Sequence, residues 1–128
     1  MPKAIEFKIP CENRPGTLAH IARILGDAKV NIFALLTTTA GAEGAVQCIV
    51  DQPQKARKAL TEAGLAYKET PVLHIKLPNV PGALARFTQK LADKDINITC
   101  GYQTATKGAR KAAVVLAVSD LDQAARVR

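Results

Sequence analysis

An internal repeat constrains this chain more than any other feature of its sequence. When the sequence is shifted by 66 residues, nine of the twenty positions from 13 to 32 coincide with identical residues. The matched positions include an Asn-x-Pro-Gly turn, which begins at Asn13 in the first copy and at Asn79 in the second. Chance does not produce such agreement at one fixed offset, so the sequence predicts a duplicated module. A unit of about 66 residues is marginally stable alone and gains by packing against its twin.

Hydrophobic periodicity gives both copies the same first half. Apolar and polar residues alternate over residues 5–9 and 73–77, which predicts a half-buried strand in each copy. The Asn-x-Pro-Gly turn follows that strand and opens an amphipathic helix. A second strand starts near Val30 or Ile96 and returns through a hairpin as a third strand.

The two copies differ after the third strand. In the first copy we expect a helix over residues 54–63, ended by Gly64, and then a short closing strand over residues 65–68. The second copy has room for its second helix after Asp120, but none for a last strand. One sheet edge of the second copy therefore lacks a strand or borrows one.

The predicted order of elements is strand, helix, strand, strand, helix, strand. This is the split βαβ or ferredoxin-like arrangement, so the fold class is α+β with two βαββαβ modules side by side. The expected domains are a first module over residues 1–70 and a second module over residues 71–128, which is short at its C-terminal end.

The residue types in the repeated turn suit a small zwitterion. Each copy contributes the same three types to it: Asn13, Pro15 and Gly16, and Asn79, Pro81 and Gly82. The prolines set φ near its value in a first helical turn, and the glycines leave the backbone open where free N–H groups point outward. The asparagine side chains offer both a donor and an acceptor. The same turn is also compatible with a purely structural role, in which Asn caps the helix and Pro-Gly shapes the turn.

A second asparagine in each copy indicates where the rest of a ligand site would come from. Asn31 and Asn97 each lie eighteen residues after the first asparagine of their copy. About twelve helical residues, at 1.5 Å each, separate the two positions by about 18 Å. One module cannot bring its own pair together. We therefore expect the copies to meet edge to edge through their second strands, with Asn13 near Asn97 and Asn79 near Asn31, in two equivalent clefts.

These segments carry a family resemblance. Residues 12–18, Glu-Asn-Arg-Pro-Gly-Thr-Leu, followed by Lys-Val-Asn-Ile at residues 29–32, resemble the ACT domain. They are especially similar to the regulatory domain of bacterial phosphoglycerate dehydrogenase. The second copy matches over residues 79–84 and 95–98, so the resemblance covers nearly the whole chain as two tandem ACT modules.

The resemblance implies a small-molecule-sensing regulatory protein, because ACT domains usually bind amino acids at the interface of paired modules. The loop of one module and the second strand of its partner hold the ligand there. Carried over by position, the implied ligand-binding residues are Cys11, Asn13, Pro15, Gly16 and Asn97 for one cleft, and Asn79, Pro81, Gly82 and Asn31 for the other.

The identity of the amino acid depends on the position before the Glu-Asn pair. Serine-binding members carry a His there, whereas this chain has Cys11 in the first copy and Leu77 in the second. The resemblance therefore implies a smaller or more apolar amino acid at least as readily as serine. The two sites also differ at Arg14 and Val80, so one can be functional and the other vestigial.

Two other classes of function stay open as alternatives. The first is a protein-interaction module without a ligand, because open sheet edges pair with other chains. The second is an RNA-binding ferredoxin-like protein, but such modules place aromatics on their central strands and residues 45–50 and 112–118 contain none. A basic cluster at Lys107, Arg110 and Lys111 indicates either a solvated hairpin tip or a surface that docks an acidic partner.

No group of residues in the sequence has the spacing of a catalytic or metal site. The three cysteines lie far apart with no Cys-x-x-Cys, which predicts reduced thiols in a cytoplasmic protein. The longest uncharged run, residues 30–42, is too short to span a membrane. We expect no enzyme activity, no cofactor, no metal and no membrane or nucleic-acid partner. The expected partners are an amino acid and either further copies of this chain or a regulated protein.

Overall fold

Six strands and four helices form in residues 2–127, the part of the chain that the structure, a computed structural model, describes. Their bounds are β1 (Lys3–Glu12), α1 (Thr17–Asp27), β2 (Ile32–Ala40), β3 (Glu43–Val50), α2 (Pro53–Glu62), β4 (Lys68–Pro78), α3 (Ala83–Asp93), β5 (Ile98–Thr104), β6 (Lys111–Val118) and α4 (Leu121–Ala124). This order confirms the predicted α+β class with two ferredoxin-like modules. The chain divides into two compact units. Ile5–Thr70 is the first unit, and residues 71–127 together with residues 2–4 are the second unit.

The first unit is an antiparallel sheet in the order β2-β3-β1, packed against α1 and α2. Phe7 of β1 and Leu35 of β2 both lie opposite Cys48 of β3, so their side chains point to the same face of the sheet. The buried core of this unit consists of Phe7, Ile9, Ile21, Leu25, Val30, Val46, Cys48, Val50, Ala56 and Leu60. It is almost entirely aliphatic, because the chain has only three Phe and no Trp.

The second unit repeats this arrangement with its strands in the order β4-β6-β5. Its core consists of Leu73, Phe87, Leu91, Ile96, Val114, Leu116 and Ala124. The second helix is much shorter than in the first unit, since α4 has only four residues. Asp120 caps it by accepting a hydrogen bond from the backbone N–H of Gln123 at 3.0 Å.

The predicted closing strand over residues 65–68 is wrong. The strand begins only at Lys68, and it continues without a break to Pro78, through the Thr70-Pro71 junction. Just before this strand, the N–H of Leu65 bonds to the carbonyl of Leu60 at the end of α2, at 3.0 Å, and Tyr67 packs its ring on Phe7 at 5.6 Å between centroids. A proline does not interrupt an extended strand where its φ fits and no ladder bond needs its N–H.

The strand missing from the second copy is supplied by the N-terminus of the chain. The backbone N–H of His74 donates to the carbonyl of Pro2 at 2.6 Å, and the ammonium of Lys3 pairs with the carboxylate of Asp122 beside α4. Of the two possibilities that the sequence left open, the second copy therefore borrows a strand. Residues 2–4 were expected in the first module, but the structure groups them with the second unit.

All three longer helices end in the same left-handed turn. In α1 the N–H of Val30 bonds to the carbonyl of Leu25, and in α3 the N–H of Ile96 bonds to that of Leu91, both at 3.0 Å. The residue at the turn is Gly64 after α2, as predicted, with φ of 73°. The other two helices use Lys29 with φ of 64° and Asp95 with φ of 58°. A side chain is strained in this region of backbone space, where glycine is not.

We expect Lys29→Gly to stabilise the protein by about 0.5–1 kcal/mol, because it removes the left-handed strain, partly offset by the greater entropy of glycine in the unfolded chain. Urea denaturation measures the free energy of unfolding. The matched opposite change is Gly64→Ala, which we expect to destabilise the protein by about 1 kcal/mol. If both substitutions changed the free energy of unfolding in the same direction, this explanation would be contradicted.

The Lys3–Asp122 pair predicts a pH-dependent attachment of the N-terminal segment. A hydrogen bond and the charge of Lys3 lower the pKa of Asp122, so the pair stabilises the folded state above the ordinary pKa of Asp. That contribution is lost as the pH falls through the depressed pKa. In Lys3→Gln we expect the pKa of Asp122 to rise, as measured by NMR titration, and stability to drop at pH 7 but not at pH 2. Lys58→Gln, which removes the partner of Glu62, is the control and should leave the pKa of Asp122 unchanged.

Candidate functional site

The two strand–helix loops have the same backbone geometry. Gly16 and Gly82 precede α1 and α3 with φ of 90° and 84°, in the left-handed region. The N–H of Thr17 bonds to the carbonyl of Arg14 at 3.4 Å, and the N–H of Ala83 bonds to that of Val80 at 3.3 Å. Each loop is therefore a tight turn that only glycine adopts without strain, and it leaves the first amides of the helix unpaired by the helix itself.

Asn13 and Asn79 do not cap the helices that follow them. The structural role that the sequence suggested, a helix cap, is therefore wrong. Neither helix has a side-chain cap. The side-chain NH2 of Asn13 instead donates to the carbonyl of Gly41 at 3.0 Å, and its backbone N–H donates to that of Ala42 at 2.8 Å. Both acceptors lie in the turn between β2 and β3. The asparagine thus ties the loop to the tip of the hairpin.

The second loop is tied in the same way. The NH2 of Asn79 donates to the carbonyls of Thr106 and Ala109, at 3.1 and 3.0 Å, and its backbone N–H donates to that of Arg110 at 2.9 Å. Within residues 2–127, no group donates a hydrogen bond to the side-chain oxygen of either asparagine. In both units, this oxygen is the part of the amide that can accept a proton from a ligand.

Asn31 and Asn97 lie at the far ends of α1 and α3. Their backbones are bonded: the N–H of Asn31 donates to the carboxylate of Asp51 at 2.8 Å, and the N–H of Asn97 donates to the hydroxyl of Ser119 at 2.9 Å. Their side chains are exposed, and no described residue is bonded to their amides. The eleven-residue helices separate each from the first asparagine of its unit by about 16 Å. The pairing of Asn13 with Asn97 and of Asn79 with Asn31 stays a prediction.

A cleft of about 740 Å³ lies beside the loop of the first unit. It brings together three of the predicted residues, Cys11, Pro15 and Gly16, with side chains that the sequence analysis missed, among them His20 and Glu43. A narrower groove of about 150 Å³ adjoins the cleft and contains Asn13 with three threonines of β2, Thr37, Thr38 and Thr39. The sequence analysis could have found this side of the groove from the run of three threonines just before the hairpin turn.

Cys11 lines both the cleft and the groove, and it lies opposite Gly44 in the pairing of β1 with β3. A Cβ at Gly44 would lie 2.9 Å from the carbonyl oxygen of Thr38 and 3.7 Å from the Sγ of Cys11. The glycine therefore keeps the space in front of the thiol open. Cys48, by contrast, is buried in the core, and burial raises its pKa to about 11, so it stays protonated at neutral pH.

The second loop is not open in the same way. A Cβ at Gly82 would lie only 2.9 Å from the Nη1 of Arg86, whereas nothing comes within 4 Å of the same position at Gly16. The guanidinium of Arg86 therefore lies close to Gly82. His20 stands at the corresponding place in the first copy, and Leu77 stands where the first copy has Cys11. The two candidate sites are unequal, and only the first has open space in front of its glycine.

The cysteines and the possible metal ligands outside the loops form no site in the described part of the chain. Within residues 2–127, Cys11, Cys48 and Cys100 form no disulfide. Residues 2–127 contain no group of three His, Cys, Asp or Glu side chains arranged to hold a metal ion. Within the same residues, no helix is long and apolar enough to cross a membrane.

Removal of the asparagine side chains should loosen the hairpin tips. We expect Asn79→Ala, which loses two hydrogen bonds, to destabilise the protein by about 2 kcal/mol, and Asn13→Ala, which loses one, by about 1 kcal/mol. Denaturant unfolding measures both, and faster amide exchange at residues 106–110 would locate the effect of Asn79→Ala. Asn31→Ala is the control, because its side chain has no partner to lose. A stability loss in the control as large as in Asn13→Ala would rule out the tether as the cause.

Comparison with known proteins agrees with this fold. The model of the ACT domain pair family matches residues 4–127. Protein BT0572 from Bacteroides thetaiotaomicron is 32% identical, with a TM-score of 0.90 and an alignment that covers 97% of this chain and 85% of that chain. No curated protein sequence matches this chain significantly.

More distant structures share the fold alone. The ligand-free regulatory subunit of aspartate kinase from Thermus thermophilus is 18% identical, with a TM-score of 0.70, and the alignment covers 98% of this chain and 90% of that chain. The corresponding subunit from Thermus flavus is 18% identical, with a TM-score of 0.60, and the coverage is 91% and 83%. The narrower resemblance of the first copy to the phosphoglycerate dehydrogenase regulatory domain stays a prediction. The chain belongs to the ACT domain pair family.

Proposed function

We propose that this protein is a regulatory sensor that binds a small amino acid at the loop of its first unit. The observation that carries the proposal is the hydrogen bonding of Asn13. The hairpin uses the NH2 of this side chain, so its oxygen is fixed in place and free to accept. An acceptor held beside unpaired helix amides suits a ligand that carries an ammonium and a carboxylate on one carbon.

The ligand would use both ends of this arrangement. Its carboxylate would lie against the backbone N–H groups at the start of α1, where Gly16 leaves the approach open. Its ammonium would donate to the oxygen of Asn13. Cys11 and Gly44 leave room for a short side chain but offer no strong polar partner, which favours glycine, alanine or cysteine over larger polar amino acids.

The far wall of the site would come from the second strand of a paired ACT module, with Asn97 facing Asn13. The first unit has a surface that supports such pairing. Phe33 and Leu35 of β2 are 57% and 42% exposed, and Leu18 of α1 is 40% exposed. Apolar side chains on an edge strand and its neighbouring helix are typical of surfaces that another chain covers. We propose that the paired module belongs either to this chain or to a second copy, in a homo-oligomer.

A ligand held by two modules would stabilise their association by mass action, and this change would be passed to a regulated partner. We propose no catalytic step, and the free thiols support a cytoplasmic location. An interaction module without a ligand is the second candidate, favoured by the same exposed surface on β2 and α1.

Thermal denaturation in the presence of each of the twenty amino acids is the first test. A ligand at one hundred times its Kd stabilises the folded state by about 2.7 kcal/mol, which is a rise of several degrees in Tm. We expect the largest rise with glycine, alanine or cysteine. Asn97→Ala should weaken the Kd about tenfold or more while leaving Tm without ligand unchanged. Gln103→Ala, on the strand that follows Asn97, is the control and should bind normally. No rise with any amino acid would favour the interaction module.

A mixing experiment identifies the chain that supplies the far wall. Asn13→Ala and Asn97→Ala chains each lack one side of the proposed cleft. If the cleft forms between two chains, a mixture restores one complete cleft per mixed dimer, and calorimetry should recover part of the binding. If the cleft forms within one chain, the mixture binds no better than either variant. Additive effects in the double variant would count against a shared cleft altogether.

A further inference from the structure

The charges of the second unit are separated between its two ends. The sequence from residue 71 onward carries nine Lys and Arg against four Asp and Glu. All four acids lie either where α3 ends, at Asp93 and Asp95, or at the start of α4, at Asp120 and Asp122. No acid occurs in residues 76–92 or 96–119, so the end of the unit that contains the strand–helix loop and the hairpin tip is purely basic.

Five exposed cations occupy that basic end: Lys76, Arg86, Lys107, Arg110 and Lys111. The contacts of the loop bring three of them close to it. The backbone carbonyl of Arg110 accepts from the N–H of Asn79, Lys111 lies opposite Pro78, and the guanidinium of Arg86 lies close to Gly82. Within residues 2–127, no carboxylate lies at ion-pair distance from any of the five. Their charges are therefore not neutralised by the chain itself.

Two exposed apolar side chains belong to the same loop and helix. Val80 in the loop is 53% exposed, and Leu84 in the first turn of α3 is 43% exposed. Exposed apolar side chains close to charged ones have the composition of a protein–protein interface. The three hydrogen bonds of Asn79 fix the hairpin tip against the loop, so tip and loop are held together before any partner arrives.

The first copy has the same backbone geometry but not this charge. There Glu12 and Glu43 flank the loop, and Arg14 is paired with Glu12 at 3.0 Å. Glu12 stands at the position of Pro78, and Glu43 stands at the position of Lys111. A general need for solubility does not explain why only one of two equivalent ends is basic.

We propose that the basic end of the second unit docks an acidic segment of a partner protein, one that presents leucine-like side chains between its carboxylates. The cations would pair with the carboxylates, and Val80 and Leu84 would receive the apolar side chains. Nucleic acid fits less well, because phosphates would leave both apolar residues uncovered and no exposed aromatic ring is available at this end for stacking. The first-unit loop takes no part, so this docking does not depend on amino-acid binding.

The test uses a fluorescein-labelled peptide of eighteen residues in which Leu recurs at helical spacing among Glu residues. Fluorescence anisotropy at 150 mM salt measures its Kd for the full chain. The comparison probes are a scrambled peptide of identical composition and a poly(U) RNA. We expect the patterned peptide to bind more tightly than the scrambled one, and its affinity to fall with rising salt.

Two double variants with equal loss of charge locate the binding. We expect Arg110→Gln with Lys111→Gln to weaken the patterned peptide about fivefold or more, whereas Lys94→Gln with Arg126→Gln, at the acidic end, should change it little. Val80→Ser with Leu84→Ser should also weaken it about fivefold or more. Circular dichroism checks that each variant is folded.

Three results would overturn the proposal. Absence of peptide binding up to millimolar concentration would show that the basic end has no affinity for this chemistry. Equal losses in the two charge variants would show that only net charge matters. Tighter binding of poly(U), unaffected by the Val80 and Leu84 substitutions, would assign the surface to nucleic acid. None of these results bears on the amino-acid titrations, so the two proposals fail separately.

Discussion

One side-chain amide in each unit fixes the geometry on which both candidate surfaces depend. The strand–helix loop and the hairpin tip are both exposed segments with few stabilising contacts of their own. Hydrogen bonds from Asn13 and Asn79 join these two exposed segments, so that loop and tip act as one rigid element. These hydrogen bonds also orient each amide, because its NH2 donates to the hairpin backbone while its oxygen does not take part. The same interaction that stabilises the loop therefore presents an oriented acceptor beside the helix amides.

The two copies use this rigid element differently. Around the first loop, Gly16 is uncovered, Gly44 keeps Cys11 accessible, and the charges include acids. Around the second loop, Arg86 lies close to Gly82 and every charge is positive. Duplication supplied two equivalent scaffolds that carry different side chains. We propose a zwitterionic small molecule as the ligand of the first and an acidic surface as the partner of the second.

The division of the chain into units follows the repeat at residues 70 and 71, but it groups residues 2–4 with the second unit. β1 gives its first residues to the second unit and the rest to the first, while β4 begins in the first unit and continues in the second. Each unit thus takes a short piece from a strand that belongs mainly to the other part of the chain. Unpaired strand edges are exposed to aggregation, and in the second unit the backbone N–H of His74 is bonded to Pro2.

The sequence by itself determined the duplication, the order of elements and the fold class, because these depend on periodicities and on residues such as glycine and proline whose backbone preferences are local. It also indicated the loop residues of the candidate site, whose part in ligand binding stays a prediction. Only the tertiary structure decided that Asn13 and Asn79 bond to hairpin tips, that residues 2–4 fill the missing strand and that Arg86 lies close to Gly82. Each of these is a contact between segments far apart in the chain, where several partners satisfy the same donor or cation equally well. Which partner is chosen depends on how the packed strands place the backbone, and no local pattern encodes that.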